Sequence, residues 1–271
     1  MGRLVGYMAN RHDRLGAALH QERGVVAPPP AVGPTGWGLG FYQGGEVLHK
    51  KRPQFDSNGF DWESVTRDVR TDCAVLHLRQ PTVGDFRSHN THPFRMRSWI
   101  FAHTGTIQRF EAIEERLRAS LPDFVNRNIR GKTDSEVLFH VILSFLHDGG
   151  NLDKLDVAAD DVLASLRSAI ALVDRLTAEV KAPPATMNMV LTNGRMLFGV
   201  CRGARAAYVE RRGLFDPPDD LPPERGNAGA LRYAMWVSDL EGVELPADYV
   251  ELADGDVVIL DRNLTVEKRS L

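Results

Sequence analysis

With only two cysteines in 271 residues, Cys73 and Cys201, the chain has no disulfide framework to build on. Both lie in apolar runs (Asp72-Cys73-Ala74-Val75-Leu76 and Phe198-Gly199-Val200-Cys201) and read as buried free thiols, which suits a reducing cytosol. Charge of one sign is also scarce. The 33 Lys and Arg against 36 Asp and Glu leave −3, so a nucleic-acid partner has no electrostatic support. No apolar run is long enough to span a bilayer, and Arg11, Asp13 and Arg14 break the opening residues too early for a signal peptide. Gly6 stands where a myristoylation start needs Ser or Thr, so Gly2 is not read as a lipidation site. There is no internal repeat and no cofactor is expected. These absences predict a cytoplasmic protein without membrane or nucleic-acid partners.

What is present is an ordinary globular composition, 43% hydrophobic and 25% charged, in a chain long enough for one large domain over 1–271. Strand-like runs are Gly38–Phe41, Ala74–Leu78, Trp99–His103, Met187–Thr192, Arg195–Val200, Tyr233–Val237 and Val257–Asp261. Asn193-Gly194 separates two of them and predicts a hairpin, because both residues tolerate positive φ. Helices are predicted over Phe110–Leu121, Ser135–His147 and Val157–Lys181. In the last, Val162, Leu166, Ala169, Val173 and Leu176 recur at helical spacing. Thr133-Asp134-Ser135-Glu136 has the form of a capping box. Val25–Gly36 and the Pro-rich, acidic Arg211–Ala230 read as surface loops. Strands, then helices, then strands again predict an α+β fold in which helices cover sheets.

Several separated segments carry a resemblance. They are Met1-Gly2-Arg3-Leu4-Val5-Gly6, Gly36-Trp37-Gly38, His77-Leu78-Arg79-Gln80, Asn90-Thr91-His92-Pro93-Phe94, Phe101-Ala102-His103-Thr104-Gly105, Gly131-Lys132-Thr133-Asp134-Ser135-Glu136, Asn188–Arg195 and Trp236-Val237-Ser238. In this order they resemble the stand-alone class II glutamine amidotransferases, a family that includes glutathione-degrading and ergothioneine-pathway γ-glutamyl hydrolases. The resemblance covers nearly the whole chain. It implies an N-terminal-nucleophile hydrolase fold, a four-layer αββα sandwich, and a pocket for a γ-glutamyl ligand such as glutamine. Arg79 would pair with the ligand α-carboxylate, where a guanidinium fork suits a planar anion. Thr82 and His92 would line the same end, and Asp134 would accept from the α-ammonium. The Gly105 N–H would be half of an oxyanion hole.

Two departures fall on the chemistry. The family's nucleophile is a cysteine at the second position, and this chain has Gly2, which supplies neither a thiolate nor an alkoxide. The oxyanion-hole asparagine of the family is Thr104 here, and a threonine hydroxyl is shorter than a carboxamide. A terminus altered in cloning would explain Gly2 but not Thr104. Val83 also replaces a histidine found in some relatives.

The residues have plainer readings beside these. Asp134 would be favoured in the first turn of a helix by the helix dipole. His77 and His103 sit in apolar strands and read as satisfied core histidines. His77, His89, His92 and His103 match no zinc spacing, so no metal is expected. Cys73 as a substitute nucleophile is outweighed by inert packing, and Trp37 reads as packing near the N-terminal strand. Three functions follow: an amidotransferase-fold protein that binds γ-glutamyl compounds with impaired or no catalysis; an active amidotransferase or γ-glutamyl hydrolase, if position 2 is natively cysteine or another nucleophile serves; or a non-catalytic regulatory subunit of a pathway enzyme.

Overall fold

The structure, a computed structural model, describes residues 2–27, 35–55, 61–79, 87–218 and 230–271. Strand alternation builds two antiparallel sheets. In spatial order the first is β11 (Val250–Glu251), β9 (Ala206–Arg212), β10 (Arg232–Ser238), β1 (Arg3–Ala9), β4 (Cys73–Arg79), β2 (Thr35–Gln43) and β3 (Glu46–Phe55). The second is β13 (Val266–Ser270), β12 (Asp256–Asp261), β8 (Met196–Val200), β7 (Thr186–Thr192), β6 (Trp99–Thr106) and β5 (Phe94–Met96).

Because successive side chains on a strand point to opposite faces, each central strand feeds two cores. From β1, Leu4 and Met8 join Val75, Ile100, Ala102, Val190, Leu197, Trp236 and Val258 in a layer between the sheets. Val5, Tyr7 and Ala9 face the other way, under α1 (Leu15–Gln21), α2 (Arg23–Val26) and α3 (Trp62–Thr66). On the second sheet, Trp99 and Phe101 leave the inter-sheet layer and pack against helices. Phe101 stacks on Phe139 with ring centroids 5.3 Å apart. The covering helices are α4 (Glu114–Ala119), α5 (Asp123–Asn126), α6 (Asp134–Asp148) and α7 (Ala159–Glu179). The result is helix, sheet, sheet, helix, the αββα sandwich implied by the resemblance. Sheet approach is close at Gly199, where an added Cβ would lie 2.5 Å from the Trp236 ring.

All seven expected strands form. The predicted Phe110–Leu121 helix is instead a 3₁₀ turn at Phe110–Ala112 followed by the shorter α4, entered from Arg109 at φ 53°. The capping box is half formed. The Glu136 N–H donates to Thr133 Oγ1 at 3.2 Å, but the Glu136 carboxylate accepts from the N–H groups of Arg130 (3.0 Å) and Gly131 (2.5 Å) rather than that of Thr133. The Asn193-Gly194 hairpin joins β7 to β8 with positive φ at Gly194 alone. Asn193 serves through its side chain, whose Oδ1 accepts from the N–H groups of Arg195 and Met196, both at 3.0 Å. The short α1, α2 and α3 and the strands β3, β5, β9, β11 and β13 were not among the expected elements. The expected loops are shortened where Val25 and Val26 join α2, Thr35 and Gly36 join β2, and Arg211 and Arg212 join β9.

Candidate functional site

The same alternation assembles one end of the inter-sheet layer. On β4, Cys73 and Val75 face the second sheet, so strand parity turns His77 and Arg79 the same way. On β10, Ala234 and Trp236 face inward, followed by Ser238. On β6, Ile100 and Ala102 face inward, followed by Thr104. Register brings Arg3 opposite Leu78 and Leu4 opposite Ser238, so the start of β1 and the ends of β4 and β10 share one edge. Gly2 lies at that edge and is buried.

At Gly2 the backbone runs hard against β4. An ideal Cβ there would sit 1.9 Å from the Leu78 carbonyl oxygen and 3.1 Å from its carbon. Gly105 is similarly constrained, with φ 135° and an ideal Cβ 2.0 Å from the Thr186 oxygen. Gly38, the glycine after Trp37, is held by a third close approach, since its Cβ would fall 1.8 Å from the His92 carbonyl oxygen.

Thr104 is buried near the Asp239 carboxylate, which its hydroxyl helps to hold down. Asp239 follows β10 in a left-handed conformation, φ 61°. Burial pushes its carboxyl up to about 6; the Ser238 and Thr104 hydroxyls and the Arg3 guanidinium oppose that rise. The Ser238 hydroxyl donates to Asp239 Oδ2 at 2.9 Å, and Arg3 donates to the carbonyls of Ser238 (3.3 Å) and Asp239. This Arg3–Asp239 pair was not anticipated. The available signal was the pair of charges abutting otherwise apolar strand runs.

Asp134, at the start of α6, is buried with both oxygens engaged. Oδ2 accepts from the Ile107 N–H at 2.8 Å, and Oδ1 from the Ser135 N–H at 2.8 Å. Each carboxylate oxygen has two lone pairs, so acceptor capacity remains. His103 faces α6: Nδ1 lies 2.9 Å from Ser135 Oγ and Nε2 3.1 Å from the Thr186 carbonyl oxygen. The carbonyl fixes the proton on Nε2 and leaves Nδ1 to accept from the hydroxyl. Burial holds His103 below its usual range, opposed by Asp134.

His77 and His92 are different. Their ring centroids are 4.3 Å apart, and His92 meets Phe94 edge-on at 4.7 Å. Both are buried, yet His77 Nδ1 and both ring nitrogens of His92 have no hydrogen-bond partner. His77 is therefore not the satisfied core histidine expected, whereas His103 is. Burial, then Arg79 and His103, pull His77 down to about 3; burial, then His77, His103 and Arg79, hold His92 well below its usual range. Both rings are neutral at pH 7.

Of the residues anticipated from sequence, Gly2, Arg79, His92, Thr104, Gly105 and Asp134 converge on this end of the sandwich. Thr82, Gln80 and Val83 lie outside the described residues. Cys73 and Cys201 are buried free thiols, pushed up by burial to about 12 and about 11. Among the described residues no group of three His, Cys, Asp or Glu is placed to hold a metal ion, and no helix is long and apolar enough to cross a membrane.

A four-layer sandwich of two antiparallel sheets between helix layers gives the chain the fold of the N-terminal-nucleophile hydrolase type. It superposes on a glutamine aminotransferase class-II domain protein from Silicibacter pomeroyi with TM-score 0.63 at 18% identity, covering 99% of this chain and 98% of that one. Residues 13–218 match the family described as Glutamine amidotransferases class-II, and the chain belongs to that family. It is 27% identical over 201 residues to the Escherichia coli K12 protein named "Putative glutamine amidotransferase YafJ", 71% of this chain and 70% of that one. Over 75 residues, 27% of this chain and 32% of the relative, it is 31% identical to the gamma-glutamyl-hercynylcysteine sulfoxide hydrolase of Mycobacterium tuberculosis.

Proposed function

We propose that this protein binds the γ-glutamyl group of glutamine or a related amide and hydrolyses it poorly or not at all. In this reading Arg79 takes the α-carboxylate, Asp134 accepts from the α-ammonium, His92 and Thr82 line the same end, and the Gly105 N–H faces the scissile carbonyl. His92 supports the recognition half. A buried imidazole with two unpartnered nitrogens costs about 1–3 kcal/mol per orphaned group, and a ligand's donor and acceptor groups would offset that.

The observation that carries the catalytic half is the backbone at Gly2. A glycine offers no nucleophile, and its 1.9 Å Cβ approach to Leu78 leaves no room for one without moving β4. Thr104 adds to it, because it stands where the family has an oxyanion-hole asparagine and its hydroxyl is shorter than a carboxamide. Removing one oxyanion donor lowers turnover about 100- to 1,000-fold. Cys73 is no substitute: its thiol is fully buried among strands and stays protonated at physiological pH.

The test is glutamate release from glutamine, glutathione and γ-glutamyl amides, alongside the rise in Tm that each ligand causes. The expected result is a ligand-dependent rise, lost in Arg79→Ala, with no release above a heat-denatured control. Turnover typical of an active amidotransferase would overturn the catalytic half, and no Tm response to any γ-glutamyl compound would overturn the recognition half.

A further inference from the structure

Beyond Phe94 from the histidine pair lies a cavity of about 990 Å³, walled by β3, β5, the turn before β5, and the α5–α6 region. Its lining carries four fixed cations, Lys51, Arg95, Arg97 and Arg130, against one carboxylate, Glu136. The whole chain carries −3, so this concentration of positive charge runs against the molecule's own balance. Glu136, held by the backbone N–H groups of Arg130 and Gly131, offsets one of the four charges at most. Arg97 pairs with Asp153 at 2.5 Å. Arg95 donates to the Val47 carbonyl, a neutral partner. Among the described residues no carboxylate forms an ion pair with Lys51, Arg95 or Arg130. Lys51 is half-buried with its ammonium 5.5 Å from the Phe94 ring centroid. Burial presses it down to about 8, opposed by Glu136 and aided by Arg95.

Like charges held together in a partly desolvated cavity repel one another unless a counter-charge enters. We infer that this cavity binds a small molecule through a phosphoryl group. The cations approach from three elements: Lys51 from β3, Arg95 and Arg97 from β5 and the bend after it, and Arg130 from the segment before α6. A tetrahedral dianion accepts from several directions at once, whereas one guanidinium fork already satisfies a planar carboxylate. His140 also lines the wall; its Nδ1–H donates to the Glu136 carbonyl oxygen at 2.7 Å, so the cations and not this ring supply the donors. The ligand need not carry a γ-glutamyl group, so failure of glutamine to bind would leave this inference standing.

Calorimetric titration with inorganic phosphate and pyrophosphate at fixed ionic strength tests it, with citrate as the carboxylate competitor. The expected result is saturable one-site binding of pyrophosphate, tighter than citrate. Lys51→Met and Arg130→Gln should each weaken it about 10-fold or more, as loss of a charge-assisted bond does, and Arg212→Gln, outside this cavity, should leave it unchanged. Phosphorus NMR line broadening on the unaltered protein reads binding even if a variant fails to fold. No saturable phosphate binding, tighter binding of citrate, or equal weakening by Arg212→Gln would overturn it.

Discussion

The two halves of the site treat their polar atoms in opposite ways. Beside Gly2 and Thr104 the polar groups at the end of β10 are engaged: the Ser238 hydroxyl on the Asp239 carboxylate, and Arg3 on two carbonyls. Around Arg79, His77 and His92 retain three ring nitrogens with no partner although both rings are buried. Folded interiors satisfy nearly all such atoms, so the contrast sets a half whose polar groups are paired within the chain against one whose ring nitrogens are not. In the proposed function the closed half is where a nucleophile and an oxyanion donor would be needed for catalysis, and the open half is where a ligand would be recognised.

The comparison can be strained first by pH. His77 falls to about 3 from a usual 6.5. Between those values the unfolded chain binds more protons, so the stability is present above pH 6.5 and drains as pH falls toward 3. At 1.36 kcal/mol per unit this is on the order of 5 kcal/mol at most. Denaturant melts of wild type and His77→Gln across pH 7 to 4 should show the slope in the first and its flattening in the second. Equal slopes would mean that the open half is not destabilised by proton demand.

Asp239 has the opposite sign. Raised to about 6 from 3.8, its carboxyl keeps a proton in the folded state that the unfolded chain gives up. Its contribution is greatest below pH 3.8 and is lost as pH rises through 6. Asp239→Asn should therefore be more stable than wild type at pH 8, by about 3 kcal/mol at most, and equal to it near pH 4. A variant less stable at pH 8 would show that the charged carboxylate itself holds the closed half together.

Gly2→Cys restores the family's nucleophile in composition but not in space. The overlap with Leu78 predicts a loss of about 1–3 kcal/mol from forced backbone movement, seen as a lower Tm, with no glutamate release. An active variant of unchanged Tm would break the comparison. The smallest effect belongs to Thr104→Val, which removes a hydroxyl that helps hold the Asp239 carboxyl down. It should cost about 1 kcal/mol and move the Asp239 carboxyl further up in a carbon-detected NMR titration; an unmoved carboxyl would detach Thr104 from the closed half.

The sequence made the sandwich legible wherever a strand had a strict inside and outside. Leu4, Met8, Cys73, Val75, Ile100 and Ala102 alternate as period two requires, and the same parity carries His77, Arg79 and Thr104 to one place. Strand β3 was not legible, because at a sheet edge Lys50, Lys51, Arg52 and Pro53 replace the apolar pattern with charge and a residue that cannot donate. One of the four missed cavity cations, Lys51, comes from this strand, and the others from β5, the bend after it and the segment before α6. Asp239 was hidden for another reason: its role depends on a left-handed turn and a partner from the other sheet, neither of which local pattern encodes. The resemblance located Asp134 and His92. It could not say that Asp134 also bonds the Ile107 N–H, nor that His92 stands unpartnered.

Calorimetric titration of the unaltered protein with L-glutamine at pH 7.5 reads both halves at once. The account predicts a saturable one-site heat and a baseline that returns to zero after each injection, because glutamine is bound and not consumed. A sustained heat proportional to enzyme concentration, the signature of continuing hydrolysis, would contradict it.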